Sequence, residues 1–173
     1  DCVDLYYAHA DIRSDSLEET LGAFNDAVVQ GKARFLGCSN YLAWRIEAAR
    51  CTSRSHGWAE YCCVQQRFTY VRPAPGASFA PQVNGNDDLL DYCRENPDVR
   101  MLAYSPLLTG AYSREDREIA PQYTGADTEA RLAQLKKVAD AHNATVNQIV
   151  YAWLIGGDPA IIPLTAPTSL EQL

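Results

Sequence analysis

Five places in the chain set polar side chains directly after a short apolar, β-prone run: His9, Ser39-Asn40, Gln65-Gln66, Tyr104-Ser105 and Thr165. Imidazole, amide, hydroxyl and phenol groups can hydrogen-bond a polar organic ligand, and the imidazole and phenol can also handle protons. Taken singly, each has a plain structural reading. A histidine after a strand commonly tethers backbone, Ser39-Asn40 could cap the next helix, Gln65 could satisfy backbone groups, and Tyr104 could be core. Metal binding is disfavoured, because His9, His56 and His142 keep no ligand spacing with the cysteines and no C-x-x-C pair occurs. The six cysteines (Cys2, Cys38, Cys51, Cys62, Cys63 and Cys93) are expected to be buried or half-buried free thiols in a reducing compartment. Cys62 and Cys63, adjacent on a strand, are expected to point to opposite faces.

The elements that must position these residues follow from periodicity and punctuation. Residues 1–8 read as a compact strand with His9 at its end. Ser16-Leu17-Glu18-Glu19 matches a capping box in which Glu19 reaches back to the Ser16 amide. Leu17, Leu21, Phe24 and Val28 then recur at helical spacing up to a C-cap glycine, Gly31. Further strands are predicted over 32–37, 61–65, 99–104 and 160–163. Helices are predicted over about 42–54, 87–94 and 128–142, from a second capping box at Thr145-Val146-Asn147-Gln148, and from Ser169 onward. Residues 72–85, with Pro73, Pro75, Gly76, Pro81 and Gly85, form a long loop.

Strand and helix alternate through five strands, which indicates an α/β fold of parallel βα units. With no fixed repeat and no linker, residues 1–173 are expected to be a single domain. Periodicity alone leaves two architectures open, an open doubly wound sheet or a segment of a (β/α)8 barrel. No G-x-G-x-x-G follows the first strand, and polar residues at the C-terminal ends of several strands are the habit of barrels.

Composition closes off other functions. With 47% apolar and 21% charged residues, the 173-residue chain can build a core and is not a disordered tail. A formal charge of −7 disfavours a nucleic-acid partner, since phosphate binding needs clustered Lys and Arg. No apolar run approaches the roughly 18–20 residues of a membrane span, and there is no signal-peptide pattern, so the expected location is cytoplasmic, away from the membrane. The chain opens on Asp1 and its single methionine is Met101, so residues upstream are expected.

In this order, five motifs resemble the aldo-keto reductase family. Asp4-Leu5-Tyr6-Tyr7-Ala8-His9 is similar to its fourth strand, Gly37-Cys38-Ser39-Asn40 to the G-x-S-N ending the fifth, and Val64-Gln65 to the sixth. Ala103-Tyr104-Ser105-Pro106-Leu107 is similar to the seventh, and Ile162-Pro163-Leu164-Thr165 through Leu173 to the cofactor loop after the eighth. The resemblance implies a partial (β/α)8 TIM barrel, strands four to eight with their helices. It also implies an NAD(P)H-dependent oxidoreductase that passes a hydride to a small-molecule aldehyde or ketone. His9 would then assist the substrate carbonyl, Ser39, Asn40 and Gln65 would hold the nicotinamide carboxamide, and Tyr104 would stack under the ring. Ser105 and Leu107 would line the pyrophosphate path, and Thr165 and Gln172 would belong to the cofactor loop.

Departures from the family pattern qualify this. Its catalytic tetrad is Asp, Tyr, Lys and His, of which only His9 has a match; the others precede the fourth strand. A barrel of this type needs about 250 residues, so the chain reads as an incomplete barrel, inactive alone, whose natural partner is the N-terminal part of the same barrel. Tyr6 and Tyr7 neighbour His9, but a phenol without paired Lys and Asp has no reason for a lowered pKa. Leu164 stands where a 2′-phosphate-binding Lys often occurs, and Gln172 falls near an Arg position, so NADPH is expected with NADH left open. The alternative reading is a truncated, non-catalytic barrel that keeps a nucleotide-binding or assembly role.

Overall fold

In the computed structural model, which describes residues 1–167, 169 and 170, the alternation takes the following form. It runs β1 (Val3–Ala8), α1 (Leu17–Val29), β2 (Ala33–Ser39), α2 (Ala43–His56), β3 (Tyr61–Arg67), α3 (Asp87–Glu95), β4 (Arg100–Tyr104), α4 (Thr128–Ala141), α5 (Val146–Ile155) and β5 (Ile161–Pro163). The strands form one sheet in the order β1-β2-β3-β4-β5. The β1–β2 and β2–β3 pairings are parallel, as βα crossovers require. The expected α/β fold of parallel βα units is therefore met. The helix expected from Ser169 to Leu173 falls mainly outside the described residues.

Local chemistry explains the element ends. Ser16 accepts from the Glu19 amide at 3.3 Å to start α1, and Gly31, at φ 68°, turns the chain into β2. At α5 the capping box closes in both directions between Thr145 and Gln148. The Ser39-Asn40 pair does not cap α2: the helix begins at Ala43 behind Leu42, and Ser39 is the last residue of β2.

The chain folds as two compact units, residues 1–66 with 80–102, and residues 67–79 with 103–173. The core of the first includes Leu21, Leu36, Ile46, Ala49, Val64, Leu89 and Met101, all buried. Burying each large aliphatic side chain contributes roughly 1.5–3 kcal/mol. Arg50 of α2 is buried there as a hub. Its guanidinium donates to Glu60 at 3.1 Å, to Asp98, and to Tyr92 Oη at 3.4 Å, which leaves the buried charge paired. In the second unit Val71, Leu108 and Tyr123 form a buried cluster, and Trp153 of α5 stacks on Phe68 with ring centroids 5.7 Å apart.

A β-bulge in β3 sets which side chains face which way. Leu36 pairs with Tyr61, but its neighbour Gly37 pairs with Cys63, so β3 contributes an extra residue, Cys62, at that step. Leu36 and Gly37 point to opposite faces of β2, so Tyr61 and Cys63 do too, although they are two residues apart. Tyr61 accordingly packs against Phe24 of α1 and against Tyr41, while Cys63 turns toward Gly37 and Tyr7. The expectation that Cys62 and Cys63 face apart rests on regular alternation, which the bulge interrupts at this step. All six cysteines are free, and Cys2 and Cys51 are exposed rather than buried.

Gly37 makes this face possible. A Cβ at position 37 would meet Cys63 Sγ at 2.5 Å and the Tyr7 ring at 2.7 Å. Gly37→Ala is therefore expected to cost about 1–3 kcal/mol through overpacking, and Cys63→Ala is expected to restore part of that loss in the double variant. Urea unfolding of the four proteins checks both expectations, with additive costs as the contrary result.

Candidate functional site

Three strand ends of the first unit meet at the side chains of Ser39 and Asn40. Ser39 Oγ donates to the Gln65 carbonyl at 2.8 Å and accepts from Asn40 Nδ2 at 3.1 Å. The same Asn40 amide donates to the His9 carbonyl at 3.1 Å, while Asn40 Oδ1 accepts from the Val83 amide at 3.0 Å. The Asn40 backbone N–H also reaches the Gln65 carbonyl, at 3.3 Å. Asn40 adopts φ 59°, a left-handed conformation that Asn tolerates better than most residues. The ends of β1, β2 and β3 and the 80–84 segment are thus tied by one buried pair.

Within this frame His9 is exposed, directly after Ala8. Gln65 is half-buried. Its neighbour Gln66 is buried and donates to the Tyr41 carbonyl at 2.8 Å. The bulge decides between the two glutamines, since Gln65 shares the face of Cys63 and Gln66 that of Val64. Burial pushes the Tyr7 phenol well above its ordinary range. Cys38, fully buried, is likewise held as a thiol, chiefly by desolvation.

Asp11 escaped the sequence reading. Its side chain is 5% exposed and takes Arg13 and, at 3.1 Å, Arg45 Nε. Arg13 in turn lies over the Trp44 ring, 4.9 Å from its centroid. These contacts pin the loop that follows His9 to the start of α2. An Asp two residues past the histidine was the available signal, but its partner Arg45 lies 34 residues on.

In the second unit, Tyr104 ends β4 half-buried, and its carbonyl accepts from the Phe68 amide at 3.4 Å. Burial raises its phenol pKa. Ser105 follows at φ 55°, and Leu107, half-buried, precedes a 3-10 turn, Leu108–Gly110, in which Leu108 and Thr109 also have positive φ, 48° and 56°. Left-handed conformations at Leu and a β-branched Thr cost on the order of 1 kcal/mol each, so this loop is held by its surroundings. Thr165 is exposed, two residues beyond β5, while the Leu164 amide donates to the Ala103 carbonyl at 2.8 Å. Gln172 lies outside the described residues. Among the described residues no group of three or more His, Cys, Asp or Glu could hold a metal ion, and no helix is long and apolar enough to cross a membrane.

Asn40→Ala and Asn40→Gly lose the same side-chain bonds but differ at φ 59°. The alanine variant is expected to be less stable by roughly 1 kcal/mol more, measured as the difference in unfolding free energy between the two. Equal losses would mean that the backbone relaxes out of the left-handed region.

Known proteins with the same pattern can be set beside this geometry. The model of the Aldo/keto reductase family matches residues 1–173. The chain is 30% identical to the aldo-keto reductase str7 of Strobilurus tenacellus, over 100% of this chain and 52% of that one. It is also 30% identical to the aldo-keto reductase yakc (NADP(+)) of Schizosaccharomyces pombe, over 100% of this chain and 51% of that one. The crystal structure of a thermostable aldo-keto reductase in complex with the inhibitor epalrestat superposes with a TM-score of 0.74 at 28% identity, covering 99% of this chain and 52% of the other. The chain spans about half the length of the curated relatives it matches.

Proposed function

Since the chain belongs to the aldo/keto reductase family, with five parallel strands of its barrel, we propose that it supplies the nicotinamide-binding half of an oxidoreductase reducing a small aldehyde or ketone with NADPH. The observation that carries this reading is the Ser39–Asn40 tie, which fixes the ends of β1, β2 and β3 and leaves His9 exposed and Gln65 half-buried beside them. Ser39 Oγ has one acceptor lone pair left after its two bonds, and Gln65 carries an amide that can both donate and accept. Such groups fit a planar carboxamide. When bound, the reduced nicotinamide supplies the hydride.

The rest falls to the chain. Ser39, Asn40 and Gln65 orient the carboxamide, which removes rotational freedom before the reaction. His9 donates to the carbonyl oxygen, a contact that strengthens as negative charge develops there. Tyr104 offers an aromatic face to the ring, Ser105 and Leu107 line the pyrophosphate path, and Thr165 and Gln172 belong to the cofactor loop. Leu164 supplies no cation for a 2′-phosphate, so the preference for NADPH over NADH leans on the printed name of the fission-yeast relative. No residue of this chain matches the Asp, Tyr and Lys of the tetrad, and Tyr7, its phenol raised by burial, is no substitute. Residues 1–173 are read as one incomplete barrel domain, with the strands that complete it pairing on the outer edge of β1, which pairs only with β2 in this sheet. The six free cysteines suit a reducing, cytoplasmic setting.

Gln65→Ala is expected to weaken NADPH binding roughly fivefold, the effect of losing one hydrogen bond worth on the order of 1 kcal/mol, with the melting temperature unchanged. Gln66→Ala is expected to do the reverse, because it strips a buried bond to the Tyr41 carbonyl. Fluorescence titration and thermal melts of both variants check the pair, and an exchange of the two phenotypes would refute the site. Residues 1–173 expressed alone are expected not to oxidise NADPH in the presence of 4-nitrobenzaldehyde. Loss of positioned acid–base groups slows such chemistry by about 10²–10⁴-fold, and turnover abolished by His9→Ala would overturn the assignment of an absent acid.

A further inference from the structure

The backbone around His9 is held by two anchors, and both lie on one stretch of chain. The first is at its own carbonyl, which Asn40 Nδ2 holds at 3.1 Å. The second is two residues on, where the Asp11 carboxylate takes Arg45 Nε at 3.1 Å and the Arg13 guanidinium. Arg45 stands in the first turn of α2, five residues after Asn40. Arg13 is tied to the same helix, because it rests on the Trp44 ring, 4.9 Å from its centroid. The helix itself is fixed from below by Ile46 and Ala49, both in the core. Asp11 and Arg45 are both largely out of solvent, with side chains 5% and 16% exposed, so the pair is little screened. Burying a carboxylate is costly unless it is paired, and the two guanidiniums supply the pairing. The loop's backbone bond from the Asp15 amide to the Ile12 carbonyl, at 3.1 Å, lies beyond Asp11 and restrains only the far end of the loop.

We propose that Asp11 is a positioning residue for His9. Through Arg45 its carboxylate fixes the backbone of residues 9–11, and with it the direction in which the exposed imidazole leaves the end of β1. The inference rests on the role proposed above for His9 at the substrate carbonyl. Asp11 touches neither substrate nor cofactor in this scheme, so its effect reaches the reaction only through the imidazole. The need for such a brace is geometric. His9 is the first residue beyond β1 and is exposed. The Asn40 bond alone would let the chain pivot about the His9 carbonyl, and a second anchor two residues away removes that freedom. A donor helps most when it is already aimed at the place where charge develops, and a misplacement of about 1 Å can cost on the order of 100-fold in rate.

The test compares the full-length native protein with Asp11→Ala, His9→Ala and the double variant in NADPH-dependent reduction of 4-nitrobenzaldehyde. Asp11→Ala is expected to lower kcat about tenfold or more, with the NADPH Kd and the aldehyde KM changed by less than about twofold. In the His9→Ala background the same substitution is expected to lower kcat no further. A merely structural role gives an equal loss in both backgrounds, and that result, like an unchanged kcat in the single variant, overturns the proposal. Arg45→Met breaks the tie from the helix side and keeps the aliphatic stem. It is expected to reproduce the Asp11→Ala loss, again absent beside His9→Ala, and it decides the matter where Asp11→Ala does not fold. Hydrogen–deuterium exchange reads the anchor without any activity. Peptides covering residues 9–12 are expected to exchange at least roughly threefold faster in either variant, and unchanged rates overturn the anchoring. A native protein that binds no NADPH, or reduces the aldehyde no faster than His9→Ala, overturns the role given to His9 above and the positioning with it. The exchange rates still decide in that case whether Asp11 holds the loop.

Discussion

One side-chain amide holds the first unit's strand ends in register. Asn40 donates to the His9 carbonyl and to Ser39 Oγ and accepts from the Val83 amide, while Ser39 passes the link on to the Gln65 carbonyl. These groups are buried, so leaving any one unpaired would carry a desolvation cost of about 1–3 kcal/mol. The network therefore works as a unit and fixes β1, β2 and β3 where His9 and Gln65 emerge. That gives the Ser-Asn pair a double character. It is scaffold first, through bonds within the protein, and only what remains of its hydrogen-bonding capacity is left for the cofactor proposed above.

Much of the fold was legible because local signals agreed with one another. The Thr145–Gln148 box, the left-handed glycine after α1 and the alternation of apolar runs with amphipathic helices each act within a few residues, and the structure realises them. The order of five motifs was equally readable, and it was the order that carried the family. What stayed hidden depends on partners distant in sequence. Asp11 and Arg45 lie 34 residues apart, and Arg50 reaches Asp98 across 48. No periodicity within either segment encodes such pairs.

The glutamine dipeptide shows the same limit more sharply. Simple alternation would put Tyr61, Cys63 and Gln65 on one face, and nothing in β3 alone contradicts it. The bulge arises against β2, where Gly37 offers room for Cys63 that a side chain would deny. Tyr61 thus faces the helices with Val64 and Gln66, and Gln65 faces the side of Cys63. Motif order singled out Gln65 without an account of how the two glutamines differ, and the pairing register supplies one: they lie on opposite faces of β3.

The bulge also bears on which changes of chain length β3 can survive. Removing residue 62 would leave Tyr61 beside Cys63 in sequence, opposite Leu36 and Gly37, which are themselves consecutive. The ladder would become regular and the later side chains would keep their faces. Removing Val64 instead would send Gln65 to the helix side and Gln66 to the face of Cys63, which breaks the buried tether from Gln66 to the Tyr41 carbonyl. Within this strand, single-residue indels are therefore far from equivalent. Lineages of this barrel could gain or lose the extra residue at the bulge freely while holding every position after it in phase.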